Sequence, residues 1–269
     1  MSEKITSLQN PKIKYAIQLR ERKMRKETDR FLIEGYRELF RAIQSKHPIE
    51  TIFYCPEFFL GENEQGLIAE SKAPAILCSK EVFAKLSYRD RPDGLLAIAP
   101  QTHRTLKDLD LLLAKKTTPP FIVVAESIEK PGNLGTILRS CDAAGVDAVI
   151  VCDPTTDIHN PNVVRSSVGT LFTQFVLEAE GAETLSFLRK HSISIVAATP
   201  HATLDFTDAN FTKPLAISVG TEQIGLTEQW METADIQVRI PMFGMADSLN
   251  VASATTLVLY EVVRQRRNA

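Results

Sequence analysis

From Phe121 to the C-terminus, short runs of Val, Ile and Ala alternate with segments of helical periodicity, and this alternation constrains the fold more than any other feature. It predicts strands at residues 121–126, 148–152, 173–177, 193–198, 215–220 and 236–240. Helices are predicted at 133–144, 162–167, 183–191, 227–234 and 249–266. Strands that are apolar on both faces belong in a parallel sheet covered by helices on each side. A sheet with one wet face would alternate polar and apolar positions instead. The last helix carries Val251, Ala254, Val258 and Val262 on one stripe, with Ala252 and Ser253 beside it. Such a stripe permits close approach to the rest of the chain or to a second copy. Arg264, Arg266 and Arg267 sit at its C-terminal end, where the helix dipole favours cations.

The first 100 residues predict a smaller α/β unit. A basic segment leads into Phe31-Leu32-Ile33-Glu34-Gly35, after which Tyr36, Leu39, Phe40 and Ile43 fall at helical spacing. Short strands are expected at 51–55, 75–78 and 94–99, a helix at 80–88, and a turn at 61–66. Residues 101–120 hold a polar opening, an amphipathic stretch at 106–114 and Lys115-Lys116-Thr117-Thr118-Pro119-Pro120, and are expected to form a linker. The expected organisation is therefore a domain at 1–100, a linker at 101–120 and a domain at 121–269.

Composition removes several function classes. No apolar run approaches the roughly 20 residues that cross a bilayer, and Met1-Ser2-Glu3-Lys4 does not begin a signal peptide. A cytoplasmic protein is expected. Cys55, Cys78, Cys141 and Cys152 are never spaced C-x-x-C and lie in apolar surroundings, so they are expected as buried thiols, with no metal site. The five histidines are scattered, which argues against a histidine-based nucleophilic triad. Net charge is only -2, yet Lys12, Lys14, Arg20, Arg22, Lys23, Arg25 and Lys26 crowd one segment. That patch can neutralise RNA phosphates, or can be a solvated helix face.

In open parallel α/β sheets, ligands bind beyond the carboxyl ends of the strands. Three polar signatures stand at such ends: Pro131-Gly132-Asn133-Leu134-Gly135-Thr136-Ile137-Leu138-Arg139, Gly220-Thr221-Glu222-Gln223-Ile224-Gly225-Leu226, and Ile240-Pro241-Met242 followed by Ser248-Leu249-Asn250-Val251. Each also has a structural explanation. Asn133 is placed to cap a helix, Gly220 and Gly225 suit a tight turn, and Ser248 or Asn250 can cap the last helix. The second signature lacks the middle glycine of a dinucleotide loop and follows a late strand, so a nicotinamide site fits poorly.

Taken in order, the three signatures resemble the motif set of the SpoU (TrmH-like) branch of the SPOUT RNA methyltransferases: N-x-G-x-x-x-R, G-x-E-x-x-G-L, and I-P-M followed by S-L-N-V-x-x-A. Phe31-Leu32-Ile33-Glu34-Gly35-Tyr36-Arg37 resembles the opening of the L30e-like substrate-binding domain that precedes many of these enzymes. The resemblance implies a SPOUT domain with a deep trefoil knot, a homodimer through the C-terminal domain, and S-adenosylmethionine as cofactor. It implies cofactor contacts from Gly220, Ile240, Met242 and Leu249. The implied reaction is methylation of a ribose 2′-hydroxyl in RNA. Ribosomal RNA is favoured over transfer RNA, because the N-terminal extension resembles the rRNA-directed members. A non-catalytic RNA-binding or ribosome-assembly protein of the same fold is the alternative from another class.

A 2′-hydroxyl becomes a competent nucleophile once its proton is drawn off and its oxygen is aligned with the methyl donor. Alignment alone can contribute roughly 7–11 kcal/mol. Among the residues, Glu222 is the obvious proton acceptor. The resemblance instead points to Arg139 as base. Because guanidinium pKa lies above about 12, Arg139 can equally clamp phosphate and polarise the hydroxyl. Base and clamp both stay open for Arg139, with Asn133, Glu222, Ser248 and Asn250 expected to orient it, the ribose and the cofactor loop.

Overall fold

The computed structural model describes residues 4–268. The Met1-Ser2-Glu3 part of the N-terminus read against a signal peptide lies outside them. The described chain divides into two compact units. One contains residues up to Thr102 together with His159–Thr173, and the other contains His103–Ile158 and the chain from Gln174 onward.

In the first unit the basic segment forms two helices, α1 (Pro11–Gln18) and α2 (Arg22–Thr28). Asn10 caps α1 by accepting from the Lys12 amide at 2.9 Å, with Pro11 in the first turn where its missing N–H costs nothing. Then follow β1 (Arg30–Glu34), α3 (Tyr36–Gln44), β2 (Thr51–Tyr54), α4 (Glu64–Ser71), β3 (Ala75–Leu77), α5 (Lys80–Leu86) and β4 (Leu95–Pro100). Their strands make one sheet in the order β1-β4-β2-β3, with only β2 and β3 parallel. Ile13, Leu19, Phe53, Val82, Phe83 and Leu96 are central to its core. The turn expected at 61–66 is shorter than predicted. The Glu64 carboxylate accepts from the amides of Leu60 (3.1 Å) and Gly61 (2.8 Å), which closes the turn and starts α4.

The chain continues with α6 (Leu106–Leu113), β5 (Phe121–Glu126), α7 (Pro131–Ala144) and β6 (Ala148–Cys152) in the second unit. Next comes α8 (Pro161–Ser166), which belongs to the first unit. The His159 ring meets Phe31 of β1 at 4.7 Å, Phe172 stacks on Phe31 at 6.2 Å, and the Thr102 amide donates to His159 Nε2 at 3.3 Å. Because this excursion carries residues through Thr173, the strand expected at 173–177 begins only at Val176. From there run β7 (Val176–Ala179), α9 (Gly181–Lys190), β8 (Ser194–Ala198), the two-residue β9 (Leu204–Asp205), β10 (Leu215–Val219), α10 (Glu228–Thr233), β11 (Ile236–Arg239) and α11 (Val251–Arg267).

The second unit's seven strands are all parallel, in the order β7-β6-β5-β10-β8-β11-β9. From His103 onward, the segment expected as a linker is part of this unit. A reciprocal capping box between Thr105 and Asp108 starts α6, whose Leu109 is fully buried in the same core as Leu188, Ile193 and Ile195. Helices α7 and α11 pack together, with Ser140 Oγ and Thr256 Oγ1 hydrogen-bonded at 2.7 Å. Arg266 closes the far end of α11. Its guanidinium donates to the carbonyls of Pro119, Pro120, Phe211 and Lys213 and lies over Phe121. Among the described residues, no helix is long and apolar enough to cross a membrane.

Candidate active site

Since the strands are parallel, the loops that follow β5, β10 and β11 leave the same edge of the sheet. The loop after β5 is braced by the loop after β6. Thr155 Oγ1 donates to the Ile128 carbonyl at 3.0 Å, and Thr156 Oγ1 donates to that of Glu129 at 2.6 Å. This fixes the entry to α7, where Lys130 occupies the cap position and Pro131 the first turn. Asn133 is therefore not the cap expected from the sequence. It stands inside the first turn, and its Nδ2 donates across to Glu222 Oε1 at 2.7 Å.

The loop after β10 is a tight turn in which the Thr221 and Gly225 amides and carbonyls pair at 3.0 and 3.1 Å. A Cβ on Gly220 would stand 2.1 Å from the Gly225 carbonyl oxygen, so the glycine is required by the turn itself. The turn's exit is set by Glu126, buried at the end of β5, which accepts from Thr227 N (2.9 Å) and Oγ1 (2.7 Å). The loop after β11, residues 240–249, makes no backbone hydrogen bond to another described residue. It ends at Asn250, whose Oδ1 caps α11 by accepting from the Ala252 amide at 3.0 Å.

These three loops meet at Glu222. Its Oε1 accepts from Asn133 Nδ2 and from Asn250 Nδ2 at 2.8 Å, and its Oε2 pairs with Lys130 Nζ. Asn250 Nδ2 also donates to Asn133 Oδ1 at 3.1 Å. The Lys130 hydrogen bond, followed by that of Asn133, holds the Glu222 carboxyl below the ordinary carboxylate range. An ionised carboxylate with both oxygens engaged serves as a scaffold that ties the three loops together. Arg139, farther along α7, is exposed, and its side chain makes no hydrogen bond or ion pair among the described residues.

Ser248 is likewise exposed and without a side-chain partner among the described residues, while Ile240 and Met242 are half-buried. With Leu249 they lie on or at the end of a loop whose main-chain donors and acceptors are open. That fits a ligand held by backbone contacts, such as the adenosyl group of S-adenosylmethionine. Lys130 was not anticipated from the sequence. A lysine at a helix start opposes the helix dipole and looks like a solvated cation, and only its place beside Pro131-Gly132-Asn133 hinted at more.

The basic segment also resolves into two groups. Lys12, Lys14, Arg22, Lys23 and Lys26 are exposed, with Lys23 near Glu27 at 3.8 Å. Arg25 is only 1% exposed, and its Nη1 donates to the carbonyls of Leu19 and Arg20. Arg20 donates to the carbonyls of Lys85, Leu86 and Ser87 at the end of α5. Both were expected to meet RNA, but these two guanidinium groups fasten backbone turns instead.

A seven-stranded parallel sheet gathers three polar loops at one edge, and it is the likeness to solved structures that assigns this architecture to the SPOUT methyltransferases. A crystal structure described as an RNA 2′-O ribose methyltransferase superposes with a TM-score of 0.85 at 42% identity, covering 98% of this chain and 100% of that one. The SpoU methyltransferase AviRb from Streptomyces viridochromogenes, in complex with AdoMet, superposes with a TM-score of 0.86 at 28% identity, covering 97% and 100%. Residues 120–260 match the SpoU rRNA Methylase family, and residues 10–97 match the MRM3-like substrate binding domain. The 23S rRNA (uridine(2479)-2′-O)-methyltransferase of Streptomyces viridochromogenes is 30% identical over 91% of this chain and 86% of its own length. The chain belongs to the SpoU rRNA methylase family.

Proposed function

We propose that this protein transfers a methyl group from S-adenosylmethionine to a ribose 2′-hydroxyl of ribosomal RNA, in the cytoplasm. The observation that carries this reading is the Glu222 hub, which ties Asn133, Asn250 and Lys130 into one array, with an exposed, unpaired Arg139 on the same helix as Asn133. The relatives support the substrate class, because the similar Streptomyces enzyme is named for 23S rRNA ribose methylation.

When bound, the cofactor supplies an electrophilic sulfonium methyl. The chain's own residues do the rest. Main-chain groups of Gly220, Ile240 and Leu249, with Met242 beside them, hold the adenosyl group. The hub keeps the loops after β5, β10 and β11 in register, so the hydroxyl meets the methyl without a search over orientations. Arg139 is free to engage the RNA, drawing on the 2′-hydroxyl or its neighbouring phosphate, and Ser248 presents a hydroxyl on the opposing loop. The reading extends to a knotted SPOUT domain and a homodimer through it. Leu257 and Tyr260 on α11, with Phe243 and Met245 on the preceding loop, are exposed apolar groups suited to a second copy. The domain at the N-terminus acts as the RNA-binding module, with Lys12, Lys14, Arg22, Lys23 and Lys26 offered to phosphate.

The test is transfer of labelled methyl to unmodified rRNA and tRNA transcripts, with Arg139→Ala in parallel. The expected result is ribose label in rRNA that the variant abolishes while cofactor binding persists. Wild-type turnover by the variant would refute the role of Arg139, and label in tRNA alone would refute the substrate. Cofactor at about 100 times its dissociation constant should stabilise the protein by roughly 2.7 kcal/mol. Absence of that shift would favour the non-catalytic alternative.

A further inference from the structure

The first unit contains a buried ionic network that the proposed chemistry does not use. Glu34, at the end of β1, accepts from the Ser87 hydroxyl and from the Tyr88 amide at 2.8 Å. Arg89 donates to the Glu34 carbonyl and pairs with Glu38 at 2.8 Å and Asp93 at 3.3 Å. Asp93 in turn accepts from the Tyr36 amide at 2.9 Å. Gly35, at φ +113°, lies so close to this network that a Cβ there would stand 2.2 Å from Arg89 Nη2. Burying three carboxylates around a half-buried guanidinium is costly unless they pair and hydrogen-bond, as they do here. What they fix is the loop 87–93.

That loop displays Tyr88. The ring is backed by the Arg20 guanidinium at 5.7 Å, and Arg20 is itself held by three carbonyls at the end of α5. The hydroxyl accepts from Asn162 Nδ2 at 3.1 Å. So both the ring and its cationic support are anchored, yet Tyr88 remains 41% exposed. Arg91, three residues on, is exposed and without a partner among the described residues, although Asp90 stands between them.

We propose that Tyr88 is a stacking platform for one unpaired nucleobase of the RNA substrate, with Arg91 meeting an adjacent phosphate. The inference rests on the RNA-methyltransferase reading above. A base needs a flat, rigid, partly apolar surface, and a cation behind the ring adds to its attraction while demanding no sequence. Preorganisation by the Glu34–Glu38–Arg89–Asp93 network removes the ordering cost that a mobile loop would bring to binding. It also gives the Phe31-Leu32-Ile33-Glu34-Gly35 signature a physical task. Glu34 and Gly35 shape the loop that meets RNA.

The experiment compares Tyr88→Ala, Tyr88→Phe and Arg91→Ala with wild type on an unmodified 23S rRNA transcript, reading methyl transfer, filter retention of the transcript and thermal midpoint. Tyr88→Ala should raise KM for RNA and weaken retention by about five- to hundred-fold, leaving kcat and the KM for S-adenosylmethionine unchanged. Tyr88→Phe, which loses the Asn162 bond but keeps the ring, should stay near wild type. Arg91→Ala should weaken binding more at low salt than at high salt. Unchanged retention and KM in Tyr88→Ala would overturn the platform. So would an equal loss in Tyr88→Phe, which would mark the Asn162 bond as the effective element. A wild-type protein that retains RNA yet never methylates it would defeat the enzymatic reading, and retention would then still decide the platform.

Discussion

Asn250 does two separable things, and substitutions can divide them. Its Oδ1 caps α11, and its Nδ2 donates to Glu222 and Asn133. Asn250→Ala removes both. Loss of a cap costs about 1 kcal/mol, and the two exposed hydrogen bonds add at most about 0.5–1 kcal/mol each. In a domain of this size each kcal/mol lowers the thermal midpoint by roughly 2–4 °C, so a total of about 1–3 kcal/mol predicts a fall of about 2–12 °C. Asn250→Asp retains an excellent capping oxygen. It replaces a donor 2.8 Å from Glu222 with a second carboxylate, which repels it by about 1 kcal/mol even at full solvent screening. The retained cap and the added repulsion offset each other, so its midpoint should fall about as far as that of the alanine variant although α11 keeps its cap, and methyl transfer should fall at least as far. Calorimetry and single-turnover methyl transfer on the same preparations read the two effects. If Asn250→Asp turned over like wild type, the hub would be a by-product of helix capping, and the argument that loop registration drives the chemistry would fail.

Two further expectations follow from the same edge of the sheet. Gly220→Ala places a methyl against backbone at 2.1 Å, so the 221–225 turn must shift. Cofactor affinity by calorimetry should drop more than ten-fold, and unchanged affinity would show that the turn does not shape the cofactor site. The Glu222 pKa is depressed chiefly by Lys130, so its contribution is present above the ordinary carboxylate value of 4.5 and disappears as pH falls through the lowered value. Lys130→Met should move the acid limb of activity upward, Lys130→Arg should restore it, and coincident limbs in all three proteins would exclude the pairing from function.

The parallel sheet was legible because buried strands such as 121–126 and 148–152 are uninterrupted apolar runs, a pattern that few other elements produce. The meeting of Asn133, Glu222 and Asn250 could be expected from family resemblance, though not from spacing, since they are separated by 89 and 28 residues. The capping role given to Asn133 failed because Lys130-Pro131 starts the helix earlier, which turns the amide toward Glu222. The fates of Arg20 and Arg25 were hidden for a different reason. A guanidinium is charged in any setting, and only the tertiary structure reveals three carbonyls converging on one and burial of the other. Residues 101–120 read as a linker because Pro and Lys dominate its end, while the leucines of α6 find their partners in strands and helices distant in sequence.

The excursion of His159–Thr173 into the first unit has a consequence for biosynthesis. Translation delivers the N-terminal sheet well before the segment that carries the rings of His159 and Phe172 to Phe31. At about 5–20 residues per second, the nascent chain waits several seconds with that side of β1 uncovered. By the time the missing piece leaves the ribosome, β5, α7 and β6 have already been made. The two units therefore cannot mature one after the other like beads on a string. A ribosome stalled between residues 102 and 159 would hold an unfinished first unit exposed to chaperones, and a gene fragment cut at the apparent linker would inherit the same defect permanently.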